Sequence, residues 1–313
     1  MMNKRDFILN VLDAGGKPEG VPAAFFLHFD PVFHRGQAAI EKHLEYFHYT
    51  DMDFLKIQFE QPFPKLDLKS PSDWLQLPFF DLDFYENQLN VVSGLVKAAK
   101  KDAFVILTLY SPFMLTCNIA GAEVVARHIA DAPEQYRVGI QRMTDSLMQF
   151  VQACIKAGVD GFYTSTQGGE AGRLPSMEAF DTCVRPYDLA VMEEINRKCS
   201  FNILHVCDYH LPYKDLRPFI SYPGQVVNSS LDLVGKQLTP KEVADQFGRP
   251  FMGGLDRKTT FANRSSEQIR QSVLDVLDSA PDRFILGADC TVPGNTSWDD
   301  LKLAIQTAHT YRR

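Results

Sequence analysis

The chain has 313 residues, 45% of them hydrophobic and 23% charged, with 39 acidic against 32 basic side chains and a net charge of −7. A composition this near the globular average excludes disordered, collagen-like and disulfide-scaffold classes. A pI near 5.6 removes the basic field that binding to nucleic acid or an anionic membrane surface requires. Six cysteines over this length are too sparse for the disulfide framework of small secreted domains, so a cytoplasmic protein with reduced thiols is expected.

Residues 1–13 read as a charged helix carrying Phe7, Ile8, Val11 and Leu12 on one face, without the apolar core of a signal peptide. No apolar run approaches the ~18 residues of a membrane-spanning helix. Short hydrophobic runs then alternate with amphipathic stretches to the end of the chain. The expected strands are 21–29, 54–59, 104–109, 161–165, 202–207, 225–229, 251–255 and 283–288. Several are continuously apolar, as parallel strands covered on both faces should be.

Between them fall the expected helices. Residues 36–47 carry Ile40, Leu44 and Phe47 at helical spacing, and 89–100 follows a long Pro- and Asp-containing loop over 61–85. The stretch 122–157 is helical with an interruption near 131–134. Helix 176–198 opens on Ser176-Met177-Glu178-Ala179, close to a capping box. Thr239-Pro240 precedes 241–247, Ser265 precedes 266–280, and Ser297 precedes 299–311, each with a capping residue where a helix should start. Strict strand–helix alternation without a linker predicts one α/β domain over 1–313, a (β/α)8 barrel of the TIM type with an N-terminal helical extension. A doubly wound sheet is the alternative, weakened by the lack of a Gly-rich dinucleotide fingerprint after the first strand.

In such a barrel, function sits where strands end at the C-terminal face. The strand ends here carry His28 and Asp30; Gln58 and Glu60; Tyr110 and Ser111; the loop Thr166 to Glu170; His205, Cys207 and Asp208; Asn228 and Ser229; Asp256; and Asp289 with Cys290. Residues i and i+2 of a strand share a side, so His205 and Cys207 face one way and Val206 the other. Cys290, at the end of the last strand, can reach the same point. One imidazole and two thiolates make a soft site for Zn²⁺ with a fourth position open, as in catalytic zinc centres. The remaining cysteines, Cys117, Cys154, Cys183 and Cys199, read as packing residues. His210 is an alternative ligand on a loop.

His205-Val206-Cys207 with Cys290-Thr291-Val292-Pro293 resembles the His-x-Cys … Cys zinc motif of the methylcobalamin:coenzyme M methyltransferases, corrinoid-linked members of the uroporphyrinogen decarboxylase superfamily. Cobalamin-independent methionine synthase uses a related arrangement. The likeness to the superfamily extends over Thr144 to Gly161, Ser176 to Tyr187 with Arg185-Pro186-Tyr187, and Gly253-Gly254-Leu255-Asp256. The resemblance implies a (β/α)8 barrel, zinc on His205, Cys207 and Cys290, methylcobalamin or a corrinoid protein as methyl donor, a small thiol as acceptor, and a homodimer. Glu170 is then a candidate fourth ligand or supporting carboxylate. His28 and Asp30 are expected to line the substrate pocket. Asn228 and Asp256 are expected to bind substrate or orient His205, and Tyr110 and Phe113 to stack on a flat ligand.

The sequence also departs from its relatives. Asp208-Tyr209 stands where close relatives carry Gly, and Asp289 before Cys290 is unusual. Uroporphyrinogen decarboxylases place an Arg-rich segment after the first strand, where this chain has only Arg35 beside Asp30. A polycarboxylate substrate prefers several guanidinium forks. The alternative functions are a metal-free decarboxylase of the same superfamily and a non-catalytic corrinoid-binding barrel.

Overall fold

The hydrophobic runs assemble into one seven-stranded parallel sheet in the computed structural model, which describes residues 3–16 and 19–312. The first strands are β1 (Phe54–Ile57), β2 (Phe104–Tyr110), β3 (Gly161–Thr166), β4 (Ile203–Val206) and β5 (Val226–Ser229). A small antiparallel hairpin, β6 (Asp232–Leu233) with β7 (Lys236–Gln237), was not foreseen and stands outside the sheet. The sheet resumes with β8 (Phe251–Leu255) and β9 (Phe284–Ala288), giving the order β1-β2-β3-β4-β5-β8-β9. Every neighbouring pair is parallel. Each crossover therefore needs a return segment, and helices supply most of them.

The expected strand over 21–29 is instead an extended segment that closes the curled sheet between β9 and β1 without forming a ladder. Leu286 donates to Pro22 O at 2.8 Å, Ala24 donates to Leu286 O at 3.0 Å, and Asp53 donates to Ala23 O at 3.0 Å. Pro22 has no N–H, and the Ala23 N–H goes to the Asp53 carboxylate at 2.7 Å. Further along, the Tyr46 hydroxyl donates to Phe25 O and Gln58 Nε2 to Leu27 O. Side chains satisfy these groups, so no second strand is needed to keep the buried backbone paired. The result is a TIM-barrel-like fold in which seven strands and one side-chain-stitched segment enclose the interior.

The helices are α1 (Lys4–Leu12), α2 (Gly36–Thr50), α3 (Glu86–Ala99), α4 (Pro112–Ala120), α5 (Ala122–Asp131), α6 (Pro133–Ala157), α7 (Met177–Cys183), α8 (Arg185–Lys198), α9 (Pro240–Phe247), α10 (Ser266–Ser279) and α11 (Trp298–Thr310). The predicted break near 131–134 is the single residue Ala132, after which Pro133 opens α6. The stretch 176–198 is also broken, at Val184, because Pro186 cannot supply the N–H that a continuous helix requires. Helix α4 was missed; Ser111 caps it and Pro112 occupies its first turn. None of the described helices is long and apolar enough to cross a membrane.

Helix α1 covers the end of the barrel opposite the strand C-termini. Met1 and Met2, part of its predicted span, lie outside the described residues. Ile8 and Val11 are fully buried, and Arg5 grips Asp160, just ahead of β3, through two bonds of 3.0 and 2.9 Å. This leaves the C-terminal mouth free for chemistry. At the closing seam, the buried Asp53 carboxylate holds both the Ala23 N–H and His309 Nε2, the latter at 2.8 Å. Asp53→Ala should therefore lower the free energy of unfolding by about 2–3 kcal/mol, the range for hydrogen bonds to a charged group. Urea denaturation reads this directly; an unshifted midpoint would show that the seam is held elsewhere.

Candidate metal centre and its cavity

The alternation of β4 carries out what its sequence predicts. His205 and Cys207 both line the cavity at the barrel mouth, while Val206 is buried outside its walls. Cys290, two residues beyond β9, completes the group: one ligand atom from each of the three lies within 4.8 Å of the others. His205 is 1% exposed, and neither ring nitrogen has a hydrogen-bond partner. Such burial is costly for an imidazole unless something binds it. The observation fits a metal ion, because the unpaired nitrogen faces two thiols, the donor set preferred by zinc.

The two thiols divide the proton unequally. Hydrogen bonding to Cys290 and burial hold the Cys207 thiol well above the usual range. The same hydrogen bond, opposed by burial but aided by His205 and Arg257, holds Cys290 well below it. The bias is toward release of the Cys290 proton, and the thiolate is the form that binds metal. Gln167 Nε2 approaches Cys207 Sγ at 3.6 Å, and the Cys207 backbone is pinned on both sides: its N–H donates to Thr166 O, and the Tyr213 hydroxyl donates to its carbonyl.

The cavity has a volume of about 640 Å³. Of the residues expected to line it, His28 and Tyr110 do so, and His210, named as an alternative ligand, lies at its edge as well. His28 bonds Glu60 through Nδ1 at 2.8 Å, and His210 is an exposed loop residue outside the Cys₂His group.

Several expectations are corrected. Asp30 is exposed and caps the helical turn at Pro31–Phe33 through the Val32 N–H. Glu170 is clamped by Arg173 at 3.0 Å and by the Gly168 N–H, and borders a separate cleft rather than the metal group. Asp256 closes its own turn on the Lys258 and Thr259 N–H groups. Phe113 is packed in the core.

Asn228 is a brace inside the barrel. Its Nδ2 donates to Met252 O at 2.8 Å and Ala288 O at 3.0 Å, and its Oδ1 accepts from the Tyr163 hydroxyl at 2.6 Å. Gly253, at φ +144°, leaves room for it: a Cβ there would meet the Phe251 ring at 2.9 Å and Asn228 Nδ2 at 3.4 Å. Asn228 is the β4–β5 register partner of His205 but makes no hydrogen bond to its ring; Tyr163, which it does bond, places its own ring 5.0 Å from the imidazole at an interplanar angle of 30°.

Two charged residues of this site were not anticipated. Lys56 on β1 is buried and lines the cavity; its ammonium donates to Gln58 Oε1 at 2.8 Å and Thr108 Oγ1 at 2.7 Å. It sits over the rings of Phe26 and Tyr163 at 4.5 and 4.9 Å. Among the described residues no carboxylate pairs with it within 4.0 Å, and burial pushes it down to about 7. The signal in the sequence was a lone cation inside the apolar run Phe54-Leu55-Lys56-Ile57. The second is Arg257, also buried, which meets both Asp208 and Asp289.

The family profile described as Uroporphyrinogen decarboxylase (URO-D) matches residues 57–311. The chain belongs to the uroporphyrinogen decarboxylase family. No curated sequence matches it. Among solved structures, a methyltransferase from Methanosarcina mazei superposes with a TM-score of 0.73 at 12% identity, covering 98% of each chain. A B12-independent methionine synthase from Shewanella sp. W3-18-1, in complex with selenomethionine, gives 0.54 at 11% identity over 94% of each chain. At these identities the likeness establishes the shared fold.

In this family member the buried Lys56 gives the cavity a pH signature. Its folded-state value near 7 lies below the ordinary 10.5. Between those values the unfolded chain binds the extra proton, so stability rises with pH there, and below pH 7 the fold bears the full burden of the buried charge. Lys56→Met should raise stability by about 1–4 kcal/mol below pH 7, as replacement of buried charges often does, with the gain shrinking from pH 7 upward and levelling off near 10.5. Unfolding measured near both limits checks the sign; a gain independent of pH would remove Lys56 as its source.

Proposed function

We propose that this protein is a zinc-dependent methyltransferase that moves a methyl group from a methylated corrinoid, free or held by a corrinoid protein, to a small thiol. The single observation that carries this reading is the buried His205, unpartnered at both nitrogens, with Cys207 and Cys290 at ligand distance. Support also comes from family membership and from a fold shared with a methyltransferase and a methionine synthase.

His205, Cys207 and Cys290 would hold the zinc, leaving one position toward the cavity. Zinc bound there lowers the pKa of a thiol and supplies a nucleophilic sulfur at neutral pH. The chain's own residues do the rest. Lys56, a cation without a carboxylate partner, favours an acceptor whose acidic group reaches the inner end of the cavity. The rings of Tyr110 and Tyr163 and the side chains of Met114 and Val292 wall the site and limit water. Gln167, whose Nε2 lies 3.6 Å from Cys207 Sγ, would steady that sulfur. A methylated corrinoid would supply the methyl carbon to the acceptor sulfur and keep the electron pair of the broken bond, and the thiol proton would leave to water at the open mouth.

Decarboxylation of a polycarboxylate is less well served. Arg257 is committed to two aspartates and Arg35 precedes helix α2, which leaves the buried Lys56 and the exposed Lys258 as the lysines lining the cavity, fewer cations than several carboxylates would need. The protein as purified should contain one zinc per chain. Cys207→Ser and Cys290→Ser should each release most of it and abolish methyl transfer from methylcobalamin to a panel of acidic thiols. Metal analysis with a methyl-transfer assay tests this; protein purified without zinc, or methyl transfer that survives both substitutions, would overturn the reading.

A further inference from the structure

Asp208 and Asp289, which flank the two cysteines of the metal motif, meet on one guanidinium. Arg257 Nη1 donates to Asp208 Oδ1 at 3.0 Å and also to Asp289 Oδ2, while the Arg257 backbone N–H donates to Asp289 Oδ1 at 2.7 Å. The Arg257 side chain is 5% exposed, and the aspartates 15% and 11%. Asp208 directly follows Cys207, and Asp289 directly precedes Cys290. In the sheet, β4 and β9 are separated by β5 and β8, and Arg257 lies just past β8. The segment bearing one sulfur is thus linked to the segment bearing the other by a single side chain spanning the strands between them.

We infer that Arg257 is a positioning residue: through Asp208 and Asp289 it holds Cys207 and Cys290 at metal-ligating separation before the metal binds. Each thiol lies at a strand end, where the ladder no longer fixes the backbone. Cys207 retains the Thr166 and Tyr213 bonds, and Asp289 donates its own N–H to Leu255 O at 2.9 Å. Arg257 adds a connection between the two halves that none of those bonds makes. Both carboxylates converge on Nη1, which the planar guanidinium holds at a fixed angle; a lysine ammonium on its flexible stem does not keep that geometry. Partners that orient metal ligands from behind typically contribute about 10- to 100-fold in metal affinity. The inference rests on the zinc reading for its affinity arm but not for its spacing arm.

The experiment uses the full chain in four forms: wild type, Arg257→Lys, Arg257→Met and Asp208→Asn. In the metal-free proteins, dibromobimane, a fluorescent reagent that bridges two neighbouring thiols, should join Cys207 to Cys290 rapidly in the wild type. It should do so several-fold more slowly in both Arg257 variants, with the bridge located by peptide mapping. In the metal-loaded proteins, zinc affinity from chelator competition should fall about 10- to 100-fold, and the sulfur-to-cobalt and ligand-field bands of the Co²⁺-substituted protein should shift. Folding is checked by circular dichroism; if Arg257→Met does not fold, Arg257→Lys and Asp208→Asn decide. Unchanged bridging rates in the folded variants would overturn the inference, as would zinc affinity and cobalt spectra equal to wild type. A wild type that binds neither metal yet shows the bridging difference would sink the zinc reading while supporting the positioning role.

Discussion

An imidazole with both nitrogens buried and unpaired is the constraint on which the barrel mouth depends. His205 is held there by the strand geometry of β4 and by the Tyr163 ring beside it. Leaving such polar atoms dry and unbonded is unfavourable, so the arrangement makes physical sense as half of an interaction whose other half is a ligand. The two thiols facing it narrow the choice of ligand, since sulfur and imidazole together favour a borderline-soft metal over magnesium or calcium.

Charge balance extends the same logic outward. Asp208, Asp289 and the Cys290 thiol, whose proton is held loosely, gather acidic groups at one side of the mouth, and Arg257 is the buried cation that offsets them. Burial raises Asp289 to about 6, with Arg257 working against that rise. Across the cavity Lys56 stands over two aromatic rings with neutral partners only. The interior is therefore polarised, with a metal-binding anionic wall facing an isolated cation. Both features strain the fold, as functional sites commonly do, and the cross-brace of Asn228 to β3, β8 and β9 supplies the rigidity that this polar interior needs.

Much of the architecture was legible because parallel strands buried on both faces leave near-continuous apolar runs. Seven of the eight expected strands form, with ends shifted by a few residues. The exception, 21–29, has a strand-like composition, yet its pairing depends on Pro22 and on Asp53, Tyr46 and Gln58, which lie far along the chain. The helix breaks at Ala132 and Val184 were readable from the prolines that follow them, although only the first break was expected, and without that reason.

The sequence by itself determined the strand–helix alternation and the pairing of His205 with Cys207, because a two-residue period admits no other orientation. It also marked Cys290 as the partner at another strand end. Only the tertiary structure decided which of the remaining polar residues share that cavity. Glu170, Asp256 and Asp30 were turned to local loop contacts, while Lys56 and Arg257 were brought in. Local spacing cannot reveal this choice, since it depends on how strands far apart in sequence close around a common interior, and there the burial of one charge settles where its neighbours must point.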